Sequence, residues 1–353
     1  MFFKRYIPLA VLSASLAACG GAGVDQAEPS SNISGSAEGS ESLPAFRVAQ
    51  QVDDAPASTT RTVSSMADAT MATVTVSTAA VQSTSATATR AMWSWFDSDI
   101  ATVAKQKSML DFAAQRKINI IYVHSQSLLG KPALLAGFID RAAARSVKVE
   151  LLFGAPEWSR AENHHLALDI LKRANAFVAG LTGARPVGLH FDIEPHGLPD
   201  WNQNQVSLGN QLIDLYTKMK AAHRSGLYLN ADIAMGYEYV PITRNDVTRT
   251  LSHWMVDTVD RTTLMAYRDY AMGADSITSH AEHPISYALT KGKQTMVGVE
   301  TTCNLEPAKI TFCEEGYSRM ESNVASVNTL FGTNAGYGGM AFHDYRALRA
   351  LKR

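Results

Sequence analysis

From Thr89 onward, short apolar runs alternate with longer amphipathic stretches. The runs cover residues 91–96, 118–124, 148–155, 186–194, 226–234, 262–269, 294–301 and 336–345. Between them, residues 100–116, 132–145, 161–181, 205–223, 246–259, 276–289 and 315–330 carry the spacing of helices with one apolar face. Strand and helix in strict alternation predict a parallel sheet. Eight repeats in one domain favour a closed (β/α)8 TIM barrel of the α/β class over an open doubly wound sheet. Only residues 346–353 follow the last run, so the eighth helix is expected to be short or missing. Another segment, such as part of the chain before the barrel, would then cover that groove.

The chain before Thr89 has a different texture. Lys4 and Arg5 precede an apolar run over residues 6–18, which ends in Leu16-Ala17-Ala18-Cys19. A basic start and a short apolar stretch form an export signal, too short to span a bilayer for good. Leu-Ala-Ala-Cys resembles the lipobox of bacterial lipoproteins, which implies lipidation of Cys19. The alternative is an ordinary secretory peptide cut near Ala18. Gly20 follows the cysteine where an aspartate would suggest inner-membrane retention, so the outer membrane is the expected destination. Residues 20–88 are rich in Ser, Ala, Thr and Gly, with Phe46 the only aromatic residue. Such a stretch cannot bury enough apolar area to offset chain entropy, and it is read as a disordered linker. The expected organisation is therefore signal peptide and lipobox over 1–19, linker over 20–88 and barrel over 89–353.

The formal net charge is -1 and charged residues make up 18% of the chain, so no basic surface points to nucleic acid. The membrane is expected to be met through the lipid anchor alone, and the barrel to be a monomer. Besides Cys19 there are Cys303 and Cys313, a close pair that an oxidising compartment would join as a disulfide. No Gly-x-Gly-x-x-Gly loop follows the first run, and no cofactor is expected.

Active sites of such barrels sit at the C-terminal ends of the strands. Side chains alternate in and out along a strand. In the fourth run, Leu189, Phe191 and Ile193 would face the helices, while Gly188, His190, Asp192 and Glu194 face the axis. Two carboxylates and a histidine are costly to bury without a use. Like charges that close raise one proton affinity, as a general acid requires. In the seventh run the same parity turns Glu300 inward at the strand end, across the mouth from Glu194. Paired carboxylates are the tools of glycoside hydrolysis. The sixth run would turn Met265, Tyr267 and Asp269 inward. Asn230 and Asp232, Tyr122 and His124, and His343 and Tyr345 are further candidates. Trp93 or Trp95, Trp158 and Trp201 could stack on sugar rings. For each of these the plainer alternative is a place in the core or in a structural ion pair.

Phe191-Asp192-Ile193-Glu194 resembles the end of the strand-4 Asp-x-Asp-x-Glu signature of glycoside hydrolase family 18, the chitinase family. Met265-Ala266-Tyr267 resembles that family's strand-6 Met-x-Tyr. The resemblance implies Glu194 as the acid, with Asp192 and Tyr267 assisting the N-acetyl group of a substrate. His190 stands where the family has an earlier aspartate, and the last run lacks its tryptophan. Glu194-Pro195 also resembles the Asn-Glu-Pro of the large retaining clan of glycosidases, which would make Glu300 a nucleophile. Ile193 replaces the asparagine of that motif. The two partial likenesses together read as a separate family of glycosidase-like barrels.

The expected function is an envelope-anchored glycoside hydrolase or transglycosylase acting on a polysaccharide or glycan. Glu194 would be the acid/base, Glu300 the second carboxylate and Asp192 a group that tunes Glu194. The substrate-binding set would be Tyr267, Asn230, Asp232, His190, His124, His343, Tyr345, Trp95, Trp158 and Trp201. Two other classes compete. One is a non-catalytic carbohydrate-binding or envelope-scaffold barrel, since a fold alone never proves function. The other is a metal-dependent hydrolase using His124, His190, Asp192 and His343, although no metal-binding spacing supports it.

Overall fold

The structure, a computed structural model, describes residues 89–353, residue 225 apart. The lipobox at Cys19 and the 20–88 linker lie outside the described residues. Eight parallel strands close into a barrel: β1 (Arg90–Ser94), β2 (Ile120–His124), β3 (Lys148–Phe153), β4 (Gly188–Phe191), β5 (Tyr228–Ala234), β8 (Arg261–Met265), β9 (Gln294–Glu300) and β10 (Tyr337–His343). Two further strands, β6 (Pro241–Arg244) and β7 (Val247–Thr250), form a separate antiparallel hairpin between β5 and the next helix. The outer ring is α1 (Val103–Gln115), α2 (Pro132–Ala143), α3 (His164–Ala179), α4 (Trp201–Ala222), α5 (Leu251–Thr258), α6 (Ile277–Thr290), α7 (Gly316–Phe331) and α8 (Tyr345–Ala350). No helix among the described residues is long and apolar enough to cross a membrane.

Local chemistry sets the helix boundaries. The Thr102 and Thr250 hydroxyls accept from the first-turn amides of α1 and α5, and Ser276 and Ser279 form a reciprocal capping box on α6. Pro132 opens α2, where its missing N–H costs nothing. The hairpin corrects one expectation, a helix from residue 246. Asn245 and Asp246 both adopt left-handed backbone (φ 49° and 60°), which makes a tight hairpin turn, and β-branched Val247, Thr248 and Thr250 extend from it. The helix starts only at Leu251.

The sheet separates two cores. Outside it, Leu189, Phe191, Ile193, Val297 and Val299 join the apolar faces of the helices in one large buried cluster. Inside, a much smaller cluster holds Ala91, Trp93, Ile120, Tyr122, Leu152, Met296 and Ala341. At the N-terminal end, Arg90 pairs with Glu321 of α7 at 2.6 Å and lies over the Phe342 ring. The eighth helix is present but has only six residues. Its Asp344 cap accepts from the Arg346 and Ala347 amides, and Arg346 grips Asp99 in the loop after β1. A groove of about 480 Å³ remains beside it, lined by Asp99, Lys105, Ser108, Tyr345, Arg346 and Arg349. It lies on the outer wall, far from the barrel axis. Any cover from the linker lies outside the described residues.

Candidate active site

The inward residues form two layers. The lower layer is polar and closed. His190 of β4 lies on the axis, its Nδ1 3.2 Å from Glu150 Oε2 and its Nε2 2.9 Å from Asp232 Oδ1. The Nε2 contact is close as an ion pair, although its N–H is not aligned on the oxygen. Trp93 Nε1 donates to Asp232 Oδ2 at 3.2 Å, and Asn230 Nδ2 donates to Glu150 Oε2 at 2.9 Å. Arg261 reaches Glu150 at 4.0 Å, and the Tyr122 ring packs on the imidazole with centroids 4.2 Å apart. Burial opposes a charge on His190, but Asp232 and Glu150 outweigh it and raise its pKa to about 10. Burial likewise opposes the charge on Glu150, and His190, Arg261 and Asn230 overcome it, so its pKa falls. The strand parity thus places a buried cation between two buried anions.

The upper layer carries the groups at the strand ends. Glu300 is fully engaged. Its Oε2 lies 2.8 Å from His343 Nδ1, and its Oε1 accepts from the Thr301 and Thr302 amides at 2.8 and 2.7 Å. Trp95, just beyond β1, donates its Nε1–H to His343 Nε2 at 2.8 Å. Burial disfavours a charge on His343, while the charge and contact of Glu300, with the Asp344 and Asp192 charges, favour it and would raise its pKa to about 9. The indole decides the species, because it can only donate and Nε2 must keep a lone pair to receive it. In this arrangement His343 is neutral, with its proton on Nδ1 facing Glu300.

Asp192 and Glu194 differ from all of these, since among the described residues no cation contacts either. Asp192 Oδ1 is buried without a hydrogen-bond partner. Glu194 is 7% exposed, and its nearest basic group, His196 Nε2, is 3.7 Å away, beyond hydrogen-bond length. Burial pushes His196 down to about 4, so it is neutral, and its Nδ1 sits 3.2 Å from the Tyr237 hydroxyl. Burial and the Asp232 charge push Asp192 up to about 8. Burial, Asp192 and Asp232 together hold Glu194 well above the usual carboxylate range. Tyr267 faces the same space, with its ring 5.9 Å from that of His343. Burial and the Glu300 charge raise its phenol, which keeps its proton as a donor.

Among the expected site residues, Asp192, Glu194, Tyr267, Glu300, His343, Trp95 and His124 surround the mouth, and the Trp95 and His124 rings lie 5.8 Å apart. The others have no opening to a substrate. His190, Asn230 and Asp232 are 0–2% exposed, a layer below the mouth. Trp158 and Trp201 are buried among the helices, Trp201 beside Tyr237. Tyr345 points outward onto Phe112, and Arg349 donates to its hydroxyl. Asp269 also departs from the expected parity: β8 ends at Met265, and the loop beyond it turns that carboxyl toward Glu315. The four groups considered as metal ligands are divided between the two layers, with His190 paired to Glu150 and Asp232 and His343 to Glu300 and Trp95. Among the described residues, no three His, Cys, Asp or Glu are grouped so that they could hold a metal ion. Glu150, His196 and Tyr237 are additions. Glu150 carried a legible signal, a lone acid at an inward position of an apolar strand.

Cys303 and Cys313 form a disulfide that closes the loop after Glu300. The same loop is held by the Phe312 amide on Glu300 O and the Thr311 hydroxyl on Thr302 O.

No family model and no curated protein matches the chain. Solved structures similar in fold include a chitinase from Bacteroides thetaiotaomicron (TM-score 0.49, 10% identity, covering 74% of this chain and 90% of that one). Others are the spore cortex-lytic enzyme SleL of Bacillus cereus (0.44, 11%, 74% and 74%) and a family 18 N-acetylglucosaminidase from Paenibacillus barengoltzii (0.45, 14%, 75% and 97%). At these identities the likeness concerns the barrel and carries no residue role.

Proposed function

We propose that the chain is a glycoside hydrolase with Glu194 as its general acid. One observation carries this reading. Among the described residues, neither Glu194 nor Asp192, two carboxyls at the mouth, contacts a cation, whereas the other buried carboxylates described in the barrel interior, Glu150, Asp232 and Glu300, have their own donors. A carboxyl kept protonated near neutral pH beside an opening is the group a glycosidic oxygen needs as its bond breaks. Asp192 shares the burial and, with the Tyr267 hydroxyl, is placed to orient a substrate group such as an N-acetyl carbonyl. Trp95 offers a sugar-stacking surface at the rim. Glu300 suits a nucleophile poorly, since two backbone amides and the close His343 imidazole already engage its oxygens. Its proposed role is to fix His343.

The test is Glu194→Gln, assayed on chitooligosaccharides and on peptidoglycan with product analysis. Turnover should fall by at least about a hundredfold with an unchanged melting temperature. Near-parental turnover in that variant removes Glu194 from the role. Glycan binding without turnover in the parent returns the chain to the carbohydrate-binding reading. Envelope anchoring is proposed alongside: incorporation of an alkynyl fatty acid should be lost in Cys19→Ala, and its persistence there would exclude Cys19.

A further inference from the structure

Two loops of the barrel mouth meet on His280, near the start of α6. Its Nδ1 lies 3.3 Å from Glu238 Oε1 in the turn after β5, and its Nε2 lies 2.9 Å from Asp275 Oδ1 in the loop after β8. A carboxylate only accepts, so both ring nitrogens must donate and the bridge needs the doubly protonated ring. Asp275 is a fixed post. Arg268 donates to its Oδ1 at 2.6 Å and to its backbone oxygen at 3.0 Å, and Lys309, inside the loop closed by Cys303–Cys313, holds Oδ2 at 2.7 Å. Glu238 is held by less. Its Oε2 accepts from the Gly236 amide at 2.7 Å, and among the described residues His280 is its only ion-pair partner. Next to it stands Tyr237, 2% exposed, whose hydroxyl engages His196 Nδ1 at 3.2 Å in the turn directly after Glu194. Resting on the reading of Glu194 as the acid, we propose that His280 is a positioning residue: it ties the turn bearing Tyr237 to Asp275, and so keeps Tyr237 against the turn that carries Glu194.

The path to the acid is continuous. Glu194 Oε1 is 3.7 Å from His196 Nε2, and the Gly197 amide donates to the Glu194 carbonyl at 2.9 Å, so the turn moves with the acid. The Tyr237 ring stands edge-on to His196 with centroids 5.9 Å apart, and its centroid is 5.7 Å from that of Trp201. The charged groups that face His280 are Glu238, Asp275 and Arg268, with Lys309 behind Asp275. His283, one turn further along α6, is engaged by His253 of α5. The His280 and Glu238 side chains are 12% and 14% exposed, so water screens the pair little. The Glu238 contact, helped by Asp275, outweighs burial and Arg268 and raises the His280 pKa above its ordinary value. The bridge is therefore complete below that raised pKa and is lost as the pH rises through it. A neutral ring keeps one N–H, so either Glu238 or Asp275 is released, and the tie opens in both cases. His280 touches no substrate in this scheme and acts only through Tyr237.

The test follows the His196 ring nitrogens by 15N NMR, and kcat and KM on a chitooligosaccharide, in the parent, His280→Gln and Glu238→Gln. His196 itself stays neutral above its pKa of about 4, so its shifts report the Tyr237 contact and not its own ionisation. In the parent they should show one tautomer until His280 loses its proton, read from its own ring signal, and the averaged shifts of an exchanging ring beyond that pH. His280→Gln should show the averaged shifts throughout. In turnover, the parent should exceed His280→Gln about tenfold in kcat on the acid side, with KM within about twofold, and the ratio should fall towards one as His280 titrates. A merely structural role gives a ratio that does not change with pH. That result, or identical His196 shifts in the parent and His280→Gln, overturns the inference while leaving Glu194 as the acid. If His280→Gln does not fold, Glu238→Gln carries the test: the His280 titration should move to lower pH and the His196 change with it, and His196 shifts that do not follow His280 overturn the inference equally. If the parent turns over no glycan, the His196 shifts decide alone. A change that tracks His280 upholds the tie even though the enzymatic reading has failed, and shifts that stay constant through the His280 titration refute it.

Discussion

Gly154, just beyond β3, is where the smallest substitution should do the most. A Cβ built there would lie 1.9 Å from the Asp192 carbonyl oxygen and 2.8 Å from its carbon, while real Cβ atoms essentially never come inside 3.0 Å. Gly154→Ala must therefore part the two backbones by about 1.1 Å. The obstacle is main chain and cannot swing aside as a side-chain tip can. The Asp192 amide is also tied to Phe153 O at 2.8 Å, so the movement strains that bond and carries the Asp192–Glu194 segment away from the mouth. Overpacking of this kind costs about 1–3 kcal/mol, a loss of several degrees in Tm for a domain of this size. A catalytic group displaced by roughly 1 Å loses on the order of a hundredfold in rate. The assay pairs thermal unfolding with kcat/KM on a chitooligosaccharide. Gly130→Ala is the control, because a Cβ there meets nothing within 4 Å. If Gly154→Ala matches Gly130→Ala in both measurements, the close approach does not constrain the site.

Three other outcomes follow from the geometry. Replacing Cys303 and Cys313 together by serine releases a loop closed across ten positions and should cost about 2–3 kcal/mol, read as a lower Tm in non-reducing buffer; no change would mean that the surrounding hydrogen bonds alone hold the loop. Asp192 keeps its proton to about pH 8 in the folded chain, against 3.8 for the free group, so its contribution to stability declines as pH rises through that window. The Tm advantage of Asp192→Asn over the parent should then widen from pH 5 to pH 8, and a constant difference would refute the assignment. Trp95→Phe removes the donor that keeps a lone pair on His343 Nε2, so the His343 ring should titrate at higher pH by NMR; an unchanged titration would mean that the indole does not select the tautomer.

The barrel was legible because its signal repeats. Eight apolar runs divided by seven helical stretches leave few other architectures, and strand parity turned the correct residues of β4 and β9 inward. Legibility ended where regular structure did. Parity carried past Met265 gave Asp269 an inward course that the loop does not follow, although Tyr267 does face the mouth. The hairpin turn at Asn245-Asp246 was hidden in what read as one helix. The second gap was depth. Sequence places His190, Asn230 and Asp232 on the inner face but does not say how far below the opening they lie, and so they read as substrate ligands. Glu150 went unnoticed because its importance comes from a partner forty positions away. Tryptophans after β3 and at the start of α4 were ambiguous for the usual reason, since the same ring serves a core or a sugar.

The wall of strands also separates two kinds of selection. Nearly all the apolar burial that keeps the domain folded lies outside the sheet, and the titrating groups lie inside it. A variant that rewrites the interior therefore draws on a different reserve from one that erodes the outer packing. New chemistry could be explored on the axis, one paired charge at a time, while the fold is sustained from the periphery. A barrel built this way is a suitable parent for laboratory evolution, provided that its inner charges are exchanged as sets and never singly.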